Sequence, residues 1–225
     1  MNAETLLSFT FKQALNDYYY LMNNHYPEKG SLKLVGDRYR LSTELRTILY
    51  RGICPKKEAT NRKHRIIKSP SEILAIDGYN VLFTLLNYRL GRFVFISNDG
   101  ICRDAGSLFG KIRKESLFNE CADLLISYLS NYKLSAIKIY LDSPVYLSNK
   151  HRNLLHKKAN GYEINMDIIL TKSADQQILQ HTSGALATSD SVIIDNSENP
   201  ILDIPRTIIE EKYNYTIIKL ETLLN

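Results

Sequence analysis

Apolar and polar positions follow two different rhythms along the chain. The first third has helical spacing. Leu6, Leu7, Phe9, Phe11, Leu15, Tyr18, Tyr19 and Met22 form an imperfect stripe that predicts a helix over residues 3–25. Asn23, Asn24 and Pro27 break it. GSLKLVG, residues 30–36, suits a short helix, and Ser42 reads as the N-cap of TELRTILYRG, which closes at Gly52. The two short helices around residues 37–41 share the outline of a helix-turn-helix without a recognition-helix pattern. From Leu74 onward short apolar runs of strand length take over. LAID (74–77), RFVFIS (92–97), AIKIYL (136–141), residues 162–170, GALAT (184–188) and residues 216–220 are predicted strands. Between them lie an amphipathic helix over 115–132, a basic helix over 149–160, a short helix over 176–180, and a helix over 206–212 opened by Asp203 and Pro205. Residues 81–90 are apolar throughout, so periodicity leaves helix or strand open.

Strands alternating with helices predict an α/β fold: a parallel sheet with helices on both faces and right-handed crossovers. A small all-α region precedes it. The expected organisation is a basic helical region over 1–60, a polar, Pro-flanked linker over 61–71, and an α/β domain over 72–225.

Composition adds limits. Hydrophobic residues make up 44% of the 225 positions and charged residues 24%, ordinary globular values. No apolar run approaches the roughly 18 residues of a membrane span, so no membrane partner is expected. MNAETLLSFTFKQ lacks the basic and apolar regions of a signal peptide. Cys54, Cys102 and Cys121 are odd in number and widely spaced, which fits a reducing cytoplasm better than a disulfide framework or a cysteine zinc site. The net charge of +5 is uneven: residues 1–71 hold 13 Lys/Arg against 6 Asp/Glu. Such a head suits a polyanion, or is simply a solvated helical surface.

Candidate chemistry gathers on acids. Asp77, Asp142 and Asp190 each follow a predicted strand, and carboxyl ends of parallel strands share one edge, where ligands of open α/β sheets bind. Asp175, opening a helix, and Asp104, in the loop after Gly100, can approach the same rim. Gly78 and Asn80 follow Asp77 on its turn, so Asp77 either serves chemistry or caps the next helix. Clustered carboxylates repel unless protons or a cation intervene. Mg²⁺ or Mn²⁺ is the cation their oxygens select, and a pair of such ions supports phosphodiester hydrolysis. Asn80 and Ser189 are placed to orient ligands. Arg103, Lys111 and Arg113 could clamp a phosphate or form a solvated loop. Walker and GxGxxG phosphate loops are absent, since Gly106 and Gly110 are too close and Ile112 follows Lys111.

The series LAIDGYNVL, DGICRD, GSLFGKIRK, YLDSP, ADQQIL and ATSDSVIID resembles a domain-of-unknown-function family. Its C-terminal part is classed as PIN-like, in the PIN/NYN superfamily. Its helical N-terminal part ends in a segment like LVGDRYRLSTELRTILYRG. The resemblance implies a metal-dependent ribonuclease whose first acid is Asp77 and whose later acids are Asp175 and Asp190. The usual second acid, a Glu on an early helix, has no clean equivalent. Asp104 is the substitute, with Glu115 and Glu120 behind it. The expected function is therefore cleavage of RNA by Asp77, Asp104, Asp175 and Asp190 with Mg²⁺ or Mn²⁺, supported by Asp142. The chain would act alone or as a homodimer. The rivals are a non-catalytic RNA-binding module and a hydrolase of a small phosphorylated metabolite.

Overall fold

The computed structural model describes residues 7–70, 72–106, 114–162, 164 and 166–224. The chain divides into two compact units. One comprises Met1–His64, Leu90–Ser107 and Thr216–Asn225; the other comprises Arg65–Arg89 and Leu108–Tyr215.

Helices α1 (Phe9–Asn23), α2 (Glu28–Arg38), α3 (Thr43–Gly52) and α4 (Lys56–Arg65) account for most of the first unit. Ser8 caps α1 by accepting from Phe11 N at 3.2 Å, and Ser42 caps α3 by accepting from Leu45 N at 3.3 Å. The stripe seen in sequence is the buried face: Phe11, Leu15, Tyr18 and Met22 pack with Val35, Leu45, Ile48 and Leu49. Phe95, Ala105, Leu220 and Leu223 complete that core. This moves two expected elements. RFVFIS forms β3 (Val94–Ile96), paired antiparallel with β4 (Cys102–Asp104) as a separate ribbon, and it belongs to the helical unit. Thr216–Asn225 joins the same unit as an isolated bridge from Lys219 to Ile96 and a 3₁₀ turn at Leu220–Leu223, not as a sheet strand. The residues expected to be a linker continue α4 to Arg65 and then enter a strand.

A buried ion cluster holds this unit's ribbon. Asp99 is 1% exposed and accepts from Arg103 Nη1 and Nη2 at 2.8 Å each and from Arg62 Nη1 at 2.8 Å. Burial raises the Asp99 carboxyl, and Arg103, Ser97 and Arg62 more than offset that, holding it well below the usual range. Asp99→Asn leaves two buried guanidinium groups facing a neutral amide. We expect a loss of about 3 kcal/mol in urea unfolding, with no dependence on added metal.

The second unit is built on a six-stranded sheet. Its strands are β1 (Ile66–Ile67), β2 (Ile73–Asp77), β5 (Ala136–Asp142), β6 (Met166–Thr171), β7 (Ala185–Ala187) and β8 (Ile201–Leu202), all paired parallel in the order β1-β8-β7-β2-β5-β6. Tyr140 shares one face with Ala75 and Leu186, covered by the short helices α8 (Ala174–Ile178) and α9 (Ser191–Asp195) through Ala174, Ile178 and Ile193. Ile139 and Leu141 alternate to the opposite face and receive α5 (Gly78–Arg89). α6 (Glu115–Ser130), α7 (Ser148–Gly161) and α10 (Ile204–Tyr213) complete the unit. The apolar run after Asn80 is thus helix. It is buried around most of its circumference, at Val81, Leu82, Thr84, Leu85 and Leu86, which is why no single stripe shows.

Candidate active site

Strand order fixes where a ligand can sit. From β2 the chain moves to β5 and β6 on one side, then returns to place β7 and β8 on the other. The direction reverses at β2 and β7, and in open parallel sheets such a switch point opens a crevice at the carboxyl ends. Asp77 ends β2 there. The register sets Ile76 beside Ala187 and Asp77 beside Tyr140. Thr188 therefore follows β7 next to Asp77, and Asp142 ends β5 two residues beyond Tyr140.

Asp77 is 5% exposed. Its Oδ1 accepts from Asn80 N at 3.2 Å and its Oδ2 from Thr188 Oγ1 at 3.1 Å. It does cap the next helix, and one oxygen faces the β7 side. Gly78 matters here for room rather than for a left-handed turn. A Cβ on it would lie 2.6 Å from Leu141 Cδ2 and 2.9 Å from the Tyr140 carbonyl oxygen. Gly78→Ala should cost about 1–3 kcal/mol by forcing α5 off β5. Thermal unfolding measures it, and an unchanged midpoint rejects the close approach.

The loop after β7 is tied to the same turn. Asn80 Oδ1 accepts from Ser189 N and Ser189 Oγ, both at 2.9 Å. Asp190 N donates to Thr188 Oγ1 at 3.1 Å, while Asp190 Oδ1 accepts from Val192 N at 2.7 Å and caps α9. Across the site, Asp142 Oδ1 accepts from Ala174 N at 2.9 Å, binding the end of β5 to the start of α8, where Asp175 stands.

Two of these acids, Asp77 and Asp175, are shifted upward. Burial pushes the Asp77 carboxyl up to about 7, the hydrogen bonds from Asn80 and Thr188 work against this, and Asp175 and Asp142 add to it. Asp175 is raised by partial burial, then by Asp190 and Asp142. Among the described residues no Lys or Arg forms an ion pair with Asp77, Asp142, Asp175 or Asp190. Nor do three His, Cys, Asp or Glu side chains close around one point as a ready metal cage.

Other expected members lie elsewhere or have other partners. Asp104 belongs to the helical unit, where Arg51 Nη1 lies 3.3 Å from its Oδ1 and Gly106 N donates to that oxygen at 2.9 Å. It anchors the ribbon's end and drops out of the acid set. Arg103 is 3% exposed and engaged with Asp99, so its guanidinium is not offered to a phosphate. Its charge, read from sequence as a phosphate clamp or part of a solvated loop, is instead paired with Asp99 in the interior. Glu115 pairs with Lys150 at 2.5 Å and Glu120 with Arg89 at 2.6 Å. Lys111 and Arg113 lie outside the described residues. Sequence reasoning missed Thr188, although a hydroxyl one residue before Ser189-Asp190 was the available signal. It also missed the pair Tyr79 Oη–His151 Nδ1, 2.9 Å apart and buried, which no spacing rule exposes.

Geometry thus defines a parallel α/β protein with an acidic switch-point crevice. Residues 68–207 match the family described as Domain of unknown function (DUF5616), and residues 10–65 match Protein of unknown function (DUF434). The chain is 31% identical over 193 residues to Uncharacterized protein MJ0935 of Methanocaldococcus jannaschii, covering 84% of this chain and 91% of that one. It belongs to the DUF5616 family. No solved structure matches it. Among the described residues no helix is long and apolar enough to cross a membrane.

Proposed function

We propose that this protein is a metal-dependent nuclease that hydrolyses phosphodiester bonds in RNA at the β2–β7 crevice. The observation that carries this reading is the set Asp77, Asp142, Asp175 and Asp190: four carboxylates at carboxyl-end positions of one parallel sheet, with Asp77 and Asp175 raised by burial and then by acidic neighbours, and with no ion pair to a Lys or Arg among the described residues. Carboxylates perturbed by burial and by one another cluster at functional sites. The PIN-like identity implied by the sequence resemblance belongs to this proposal. Asp142 takes the place that Asp104 was expected to fill.

In this reading Asp77, Asp142, Asp175 and Asp190, from the ends of β2, β5 and β7 and the start of α8, would hold Mg²⁺ or Mn²⁺. When bound, the ion supplies neutralising charge and an activated water. Thr188 and the Asn80 backbone keep the Asp77 carboxylate in one orientation. Ser189 fixes the Asn80 carboxamide through its oxygen, and the Nδ2 donors of Asn80 would bind a phosphoryl oxygen. The helical unit supports a polyanionic substrate. It carries 14 Lys/Arg against 9 Asp/Glu, while the sheet unit is balanced at 15 of each.

The test is cleavage of single-stranded RNA by the full chain with Mn²⁺ or Mg²⁺, repeated in excess EDTA. Product that appears with metal and disappears with EDTA is expected. RNA binding without metal-dependent product would establish the non-catalytic alternative instead.

A further inference from the structure

Beside the crevice, between α6 and α7, lies a groove of about 500 Å³. Lys150 pairs with Glu115 and Lys158 with Asp123, each eight residues further along its helix, so α6 and α7 run parallel and begin at the same end. Both lead away from the sheet's carboxyl edge, because α6 precedes β5 and α7 follows it. The groove runs along the first turns of α6 and from Lys150 to Lys157 of α7.

Its chemistry is divided in three. Phe118 and Leu154 give an apolar floor. Asn119 and Asn153 face it from opposite helices and bring donors and acceptors. Lys157 brings a positive charge that no carboxylate neutralises among the described residues, unlike Lys150 and Lys158. A flat heterocycle, hydrogen bonding at its edge and an attached phosphate match these in turn. The volume lies within the range of small-ligand sites. A physical link joins groove and crevice. His151, 3% exposed and lining the groove, is bound through Nδ1 to Tyr79, two residues beyond Asp77.

We propose that this groove binds one nucleotide of the RNA strand, next to the phosphodiester presented to Asp77. The assignment rests on the nuclease reading for its strand, but its own test needs neither metal nor turnover. Calorimetry in EDTA would follow the four nucleoside 5′-monophosphates, then a short single-stranded RNA, binding to wild type, Asn153→Ala and Lys157→Ala. Both substituted side chains are exposed, so the variants keep the fold. At least one monophosphate should bind, the RNA should compete with it, and each variant should weaken both about tenfold. Lys157→Ala should also lower the salt dependence of RNA binding by about one counterion.

Absence of monophosphate binding, or binding that neither variant alters, overturns the site. Monophosphate binding that RNA does not compete overturns the strand and leaves a free nucleotide as ligand. Groove variants that lose RNA in a protein showing no metal-dependent cleavage would sink the nuclease reading and leave the groove standing. Normal cleavage and RNA binding in both variants would do the reverse.

Discussion

Asp77→Asn should reduce metal-dependent RNA cleavage by at least about a hundredfold, a loss of roughly 3 kcal/mol or more of transition-state stabilisation, while the protein stays folded. Asp77 is the acid at the centre of the switch point, between the β7 loop and β5. An amide keeps its shape and can still accept from Asn80 N. It loses the negative charge that draws a divalent cation. Metal titration by calorimetry should show the affinity falling with the rate, and circular dichroism should be unchanged. A variant that cleaves at the wild-type rate removes Asp77 from catalysis and the acid crevice with it.

The same substitution should stabilise the metal-free protein at alkaline pH. Burial raises the Asp77 carboxyl from 3.8 to about 7 in the folded chain. The folded state therefore favours the protonated acid. That contribution is complete below about pH 4 and is lost as pH rises through 7, because the unfolded chain releases the proton first. Three pH units correspond to at most about 4 kcal/mol. Asp175, also raised, pulls the same way. Wild type in EDTA should unfold at lower urea at pH 8 than at pH 5. Asp77→Asn should flatten that slope and exceed wild type at pH 8, and Mn²⁺ should restore wild type alone. A wild type that grows more stable between pH 5 and 8 without metal contradicts the buried-acid account.

Much of the crevice was legible because strand ends leave a local mark. Leu74–Ile76 before Asp77 and Ala136–Leu141 before Asp142 are apolar runs stopped by an acid, and parallel pairing carries such stops to one edge. Ser42 and Asp203 were legible as caps for the same local reason. Arg103 and Asp104 were not. Asp99 lies only four residues from Arg103, but nothing local says that the pair is buried with Arg62, 37 residues before Asp99, and Arg51 lies 53 residues from Asp104. The ribbon of Val94–Ile96 has strand character in full, yet alternation says nothing about which sheet a strand joins. Thr188 became meaningful only through the register that sets β7 beside β2.

The helical unit's core also has an assembly order written into it. Phe95 and Ala105 come from mid-chain, and Leu220 and Leu223 from the far end, to meet Phe11 and Leu15. Until Thr216–Asn225 is made, the interior shared by the earliest helices lacks Leu220 and Leu223. A cut after α4 therefore yields no independent cassette. Trimming the tail should loosen α1 through α3 before it disturbs any strand of the parallel sheet.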